Sequence, residues 1–260
     1  MSVFLLEVRP GDKGQKFNEI DVFFTSNYVF ASKFVQNKIV LDSGCGNGYG
    51  AKYLAENGAN FVFGVDIDKK IIKKCEKRYR NVNNLSFVHC DSTTLGFESE
   101  FFDVVVSMEV IEHIQNYRKY LNEICRVLKR GGLFIISTVN KNIFSPGLKN
   151  PIMVNHVKEF YPKEFTLLLS RYFSSVKIYG KFVVNPHYIE EQVNFQNSWR
   201  FKLVRFLAKS NFIRVVAKYI PYSLRYFISG IKKIKLREGD ILISEKEIET
   251  AHTLLAVCCK

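Results

Sequence analysis

Two carboxylates and an imidazole stand at Glu109, Glu112 and His113, in the run EVIEH. On a helical turn, positions i, i+3 and i+4 share one side. Such a group can take a proton from a hydroxyl or hold a divalent cation beside it. An oxygen nucleophile, with its high pKa, needs one or the other. His156, in NHVKEF, is a second imidazole that a loop can bring to the same place. The plainer role for these side chains is to cap the turn and pack against that loop, and at this point the three readings stand open. A second constellation is VLDSGCGNGYG, residues 40–50, with four glycines behind a short apolar run and one aspartate. Glycine is costly where its freedom is unused. The cluster therefore points to a tight strand-to-helix turn whose backbone approaches a ligand, with the helix N-terminus offering free N–H groups. The run from Gly46 to Ala51 also satisfies GxGxxA, the dinucleotide pattern, which alone is weak evidence.

These residues need elements to hold them. Apolar runs at 38–42 (KIVLD), 60–66 (NFVFGVD), 102–108 (FDVVVSM) and 133–139 read as buried strands. Helical segments lie between them at 49–57, 69–79 and 116–128. In the last, Tyr120, Leu121, Ile124 and Leu128 share a face. Strands apolar on both faces that alternate with helices predict a parallel sheet covered on both sides. A leading helix is expected at 18–36, a helix at 162–172, and final strands at 175–182 and 252–259. The expected fold is a doubly wound, Rossmann-like α/β domain with a mostly parallel sheet. Its divisions are residues 1–36 as a leading segment, 37–182 plus 252–260 as the ligand-binding domain, and 183–251 as a basic helical insertion capping the acceptor side.

At 260 residues and 47% hydrophobic content the chain can bury one sizeable core. The six cysteines form no CxxC pair, which argues against a zinc site or disulfide framework and favours a reducing cytoplasm. The first residues lack the apolar stretch of a secretory leader. Net charge is +13, and it is uneven. Residues 196–237 hold eleven Lys or Arg and no Asp or Glu.

Taken together and in order, these motifs resemble the class I S-adenosylmethionine-dependent methyltransferases, in a type 11-like branch. VLDSGCGNGYG is similar to the family's first motif, FDVVVSMEVIEH to its fourth-strand motif, and RVLKRGGLFIIST to its fifth-strand turn. The resemblance covers roughly residues 20–182 and the last nine. It implies S-adenosylmethionine as cofactor and a pocket lined by Asp42, Gly44, Cys45, Gly46, Gly48, Asp66, Ile67, Asp91, Ser92, Met108 and Glu109. Asp66 matches the acid that accepts the ribose hydroxyls. Asp91 matches the one near the adenine amino group, with Ser92 beside it. A dehydrogenase would leave Asp42, Asp91 and MEVIEH without a task.

His113 and His156 are the expected catalytic residues. The EVIEH group also resembles the magnesium-binding set of the ubiquinone-biosynthesis and small-RNA 2′-O-methyltransferases, so Mg2+ is a further expectation, with its fourth ligand not assigned. The run NPIMVNHVKEFYPKEFTLLLSRYFSSVKIYG, like SNYVFASKFV, is similar to methyltransferases found beside glycosyltransferases in bacterial surface-polysaccharide clusters. That implies a small-molecule or glycan acceptor carrying a sugar. RNA or quinone O-methylation and an inactive binding module are the alternatives. In the basic stretch Phe201, Leu203, Val204 and Leu207 can share an apolar face, with Lys202, Arg205 and Lys209 beyond it, until Pro221 interrupts. It reads as a solvated cap, as an interfacial helix on anionic lipid at the inner membrane surface, or as an RNA-binding face. No RNA-binding module is recognisable, so nucleic acid is the least favoured partner.

Overall fold

In a computed structural model the described residues are 4–5, 19–153, 155–197, 202, 206 and 238–260. They build one mixed sheet with helices on both faces. The parallel part comprises β2 (Ile39–Ser43), β3 (Phe61–Asp66), β4 (Leu85–His89), β5 (Phe102–Met108) and β6 (Leu128–Val139). The antiparallel part comprises β1 (Phe4–Leu5), β7 (Ser175–Val183), β8 (Ile241–Ser244) and β9 (Thr253–Cys259). Their order across the sheet is β1-β8-β7-β9-β6-β5-β2-β3-β4. The chain runs outward from β2 through β3 to β4, then returns to β5 on the other side of β2. That reversal opens a crevice at the carboxyl ends of β2 and β5, the usual ligand site of such sheets.

The strands are apolar on both faces because both are covered. Val40, Val62, Val104, Val106 and Ile135 pack with Tyr28 and Phe30 of α1 (Glu19–Ser32), Ala51 and Leu54 of α2 (Tyr49–Glu56), and Ile72 and Cys75 of α3 (Lys69–Arg78). Their neighbours Leu41, Val105 and Ile136 point the other way. They pack with Tyr120, Leu121 and Ile124 of α4 (Tyr117–Val127) and with Phe165 and Leu169 of α6 (Pro162–Leu169). The one-residue alternation is the period of a strand dividing its side chains between two layers. A short α5 (Lys141–Phe144) follows β6, and α7 (Pro186–Asn197) follows β7.

Several expectations change. Gly131 and Gly132 do not precede the fifth parallel strand. β6 runs through them from Leu128, with Gly131 at φ 71° and a register shift against β5 between Phe102 and Val104. β4 was not expected, because only Phe87 of its five residues is buried. The interval 183–251 is not wholly helical: Val183 ends β7, and Ile241–Ser244 forms β8, paired to β7. The cationic–apolar pattern of 198–237 lies outside the described residues, apart from the exposed Lys202 and Phe206. Among the described residues no helix is long and apolar enough to cross a membrane.

A candidate cofactor pocket and active site at the carboxyl edge of the sheet

The glycine loop is pinned to the end of β3. The Gly44 and Cys45 N–H groups both donate to the Val65 carbonyl, at 2.8 and 2.9 Å. Gly46 N–H donates to Asp66 Oδ2 at 3.0 Å, and Asp68 N–H to Asp66 Oδ1 at 2.9 Å. The expected ribose acceptor is thus already the loop's own brace. An ionised carboxylate keeps lone pairs for two further donors. The loop ends at Gly48, and no side chain caps the N-terminus of α2. Gly44 and Gly48 face protein: a Cβ at the first would strike Val110, and at the second Phe87 and Tyr79. At Gly46 a Cβ would meet nothing within 4 Å. That opening is a cradle which a side chain would fill, and it fits a nucleoside ligand passing over the loop. Ile67, next along from Asp66, is 68% exposed and offers an apolar surface beside it.

The remaining expected residues lie along the same edge. Asp91 is exposed, and its Oδ1 accepts Thr93 N–H at 2.8 Å. Ser92 accepts a hydrogen bond from Ser43 Oγ at 2.8 Å. Cys45 and Met108 are buried in the layer beneath. Asp66→Ala removes an acceptor and frees the Gly46 N–H. It is expected to weaken S-adenosylhomocysteine binding by about 1–3 kcal/mol, the scale of bonds to a charged group. Isothermal titration checks this, and unchanged affinity would remove Asp66 from the pocket.

Asp42 has no exposed surface. Its carboxylate accepts from the Tyr28 hydroxyl at 3.3 and 3.4 Å. Burial pushes its pKa up to about 7, Asp66 adds to the rise, and the Tyr28 and Ala51 donors oppose it. One residue before Tyr28, Asn27 Nδ2 donates to Ser137 Oγ at 3.2 Å, and Ser137 Oγ donates to Glu109 Oε1 at 2.9 Å. Behind Asn27 stands Lys181 of β7, also without exposed surface. Its Nζ donates to Asn27 Oδ1 at 2.7 Å and to the Phe23 carbonyl at 2.8 Å. Burial lowers its pKa to about 7, against the pull of Glu109.

The EVIEH segment is not on an α-helical turn. Glu109 takes φ 56°, its N–H held by Ser137, and Ile111–His113 is a single 3₁₀ turn. The Val157 and Lys158 N–H groups donate to the Glu112 carbonyl at 2.7 and 3.2 Å, which lays the 155–158 loop against that turn. The His113 and His156 rings consequently meet edge to face, 4.9 Å between centroids. A carboxylate oxygen of Glu112 and a ring nitrogen of each histidine fall within 4.8 Å of one another. Glu109 lies outside this trio but beside it. Burial and the Glu109 charge push the Glu112 carboxyl well above its usual range. Glu159, unexpected from the motifs, accepts from His156 Nδ1 at 2.8 Å. Its spacing of three residues from His156 was the available signal. Tyr28, Asn27, Ser137 and Lys181 carried none.

The family described as methyltransferase domain matches residues 41–136. Over 130 residues the chain is 38% identical to a probable S-adenosylmethionine-dependent methyltransferase of Mycolicibacterium smegmatis, covering 50% of this chain and 49% of that one. Over 107 residues it is 38% identical to a phthiotriol/phenolphthiotriol dimycocerosates methyltransferase of Mycobacterium tuberculosis, covering 40% of this chain and 39% of that one. The match to the first of these relatives thus spans about half of its length. In fold it is similar to the YcgJ protein of Bacillus subtilis, with TM-score 0.57, 17% identity, and 91% and 98% of the two chains covered. It is equally similar to the [4+2]-cyclase SpnF, with TM-score 0.58, 16% identity, and 96% and 84% covered. One fold thus hosts different reactions, and the site must argue the chemistry. The glycine cradle and the acid at the end of β3 both fall within residues 41–136, the stretch that matches the methyltransferase-domain family and lies in the region shared with S-adenosylmethionine-dependent relatives.

Proposed function

We propose that the protein transfers a methyl group to a hydroxyl of a small, sugar-containing acceptor. The observation that carries the oxygen acceptor is the convergence of Glu112, His113 and His156 at the edge that also holds the glycine cradle. S-adenosylmethionine supplies the methyl group on a sulfonium. The chain's residues do the rest. The uncapped start of α2 receives the cofactor carboxylate. Asp66 takes the ribose hydroxyls, Ile67 lies against the base, and Asp91 and Ser92 stand near the adenine amino group. Met108 and Glu109 end the strand facing the reacting side. The imidazole–carboxylate group makes the acceptor oxygen nucleophilic. Positioning and exclusion of water supply most of the remaining rate. A sugar acceptor is supported by the resemblance of residues 150–180 to polysaccharide-cluster methyltransferases.

A second reading places the acceptor at an anionic lipid surface. It is favoured by the exposed Val184, Ile189, Val193 and Phe206, and by the eleven cationic residues of 196–237. The relative named for phthiotriol dimycocerosates supports a lipid-borne acceptor in the same way.

The test is titration with S-adenosylhomocysteine, followed by transfer of labelled methyl to a panel of sugar nucleotides, with and without anionic vesicles. Micromolar binding and labelled product are expected. Binding without product on any acceptor would favour an inactive module, and no binding would remove the methyltransferase reading. His113→Ala and His156→Ala are each expected to lower turnover by about 10²–10⁴-fold and to leave cofactor affinity within twofold. Full turnover in both would show that the cluster does not serve the acceptor.

A further inference from the structure

The resemblance to magnesium-dependent branches implies magnesium at this cluster, but the donor atoms do not fit it. Magnesium takes six oxygens in a near-ideal octahedron and keeps several of its waters. Here the trio within 4.8 Å contains two imidazoles and one carboxylate. Both rings are held from behind. His113 Nδ1 lies 3.1 Å from the Asn155 carbonyl, which only accepts, so Nδ1 carries the proton and Nε2 the lone pair. His156 Nδ1 lies 2.8 Å from Glu159 Oε1, an acceptor when ionised, which gives the same tautomer. An oxygen behind each imidazole is the arrangement that fixes metal-bound histidines and raises their basicity.

The carboxylates are incomplete. Glu112 is buried, and its Oε2 accepts from Thr138 Oγ1 at 3.0 Å, but its Oε1 has no hydrogen-bond partner. Glu159 Oε2, also buried, has none either. Among the described residues neither glutamate is ion-paired to a Lys or Arg. The unfilled Glu112 oxygen and the two imidazoles beside it form a set that a cation would complete.

We infer that Glu112, His113 and His156 bind a first-row transition dication of the zinc or manganese class in preference to magnesium, with Glu159 and the Asn155 carbonyl positioning the two rings. Imidazole–carboxylate sets select such borderline cations, and three protein ligands leave positions open to an acceptor oxygen. This deepens the hydroxyl-acceptor reading and rests on it for its purpose, though not for its ligands.

The experiment uses the full chain, stripped with chelator and titrated calorimetrically with ZnCl2, MnCl2 or MgCl2 alone, with S-adenosylhomocysteine titrated separately. One equivalent of Zn2+ is expected to bind at least ~100-fold more tightly than Mg2+, with Mn2+ between them. Glu159→Gln, nearly isosteric and not a ligand, is expected to lower Zn2+ affinity about 10–100-fold. Glu112→Gln and His113→Ala should lower it at least as much, with thermal melts confirming that each variant is folded. Magnesium binding as tight as zinc, no zinc binding, or zinc affinity unmoved in all three variants would overturn the inference. S-adenosylhomocysteine binding without zinc binding refutes the cation site and leaves the methyltransferase reading standing. Zinc without S-adenosylhomocysteine binding does the reverse.

Discussion

Gly46→Val abolishes S-adenosylhomocysteine binding, by at least ~100-fold, while the protein stays folded. The two halves of this expectation come from different facts. Gly46 has φ 50°, a conformation that L side chains enter at about 1–2 kcal/mol, and a β-branched one at the upper end. For a chain of this size that is a melting temperature lower by roughly 2–8 °C. Within the chain a Cβ there meets nothing within 4 Å. The bulk of valine therefore collides with the ligand and not with the fold. Calorimetric titration beside a thermal melt separates the two effects. Normal affinity in a folded variant would mean that the cofactor does not cross this loop.

Gly50→Ala, four residues away, is expected to do the opposite: to damage the fold first. Its Cβ would fall on three atoms of the Tyr28 ring. Tyr28 is 3% exposed and packs edge to face on Tyr49, 5.5 Å between centroids, so the ring has nowhere to go without moving α1. Overpacking of this kind costs about 1–3 kcal/mol, and more when backbone must shift. Displacing Tyr28 also removes the donor from the buried Asp42 carboxylate, adding about 1–3 kcal/mol. A total loss of about 3 kcal/mol or more should appear in urea unfolding. Tyr28→Phe, which removes only the hydroxyl, should show the second part alone. A neutral Gly50→Ala would contradict the seating of α1 against α2.

The contrast between these two glycines marks what sequence reading can and cannot reach. Both sit in the same run, and spacing alone treats them alike. The four inner parallel strands were legible because each buries side chains on both faces, which leaves continuous apolar runs. β4, at the sheet's edge with one buried residue, and β8, four residues long, leave no such trace. Asp42 and Asp66 were read from their places at the ends of strands, and Gly46 from its place in the turn after β2. The EVIEH trio was legible as a group but not in its geometry, since the turn depends on Glu109 N–H reaching Ser137, 28 residues on. Lys181 contacts Asn27 across 154 residues, and a single lysine in SVKIYGKF looks like any solvated one until α1 covers it.

That covering has a consequence for how the molecule responds to protons. Helix α1 is fastened at Tyr28 to an acid raised to about 7 and at Asn27 to a base lowered to about 7. Asp42, whose ordinary value is 3.8, contributes stability that is fully present below about pH 4 and lost as pH rises through about 7. Lys181, whose ordinary value is 10.5, contributes stability that is fully present above that value and lost as pH falls through about 7. Their neighbours Asp66, Glu109 and His252 shift the balance, His252 staying uncharged down to about pH 4. The two slopes oppose each other and meet near neutrality. The helix is thus a catch that acid tightens at one end and alkali at the other, and it releases most readily between them. The contribution of the two groups to stability is thus smallest near pH 7, where each is charged about half of the time.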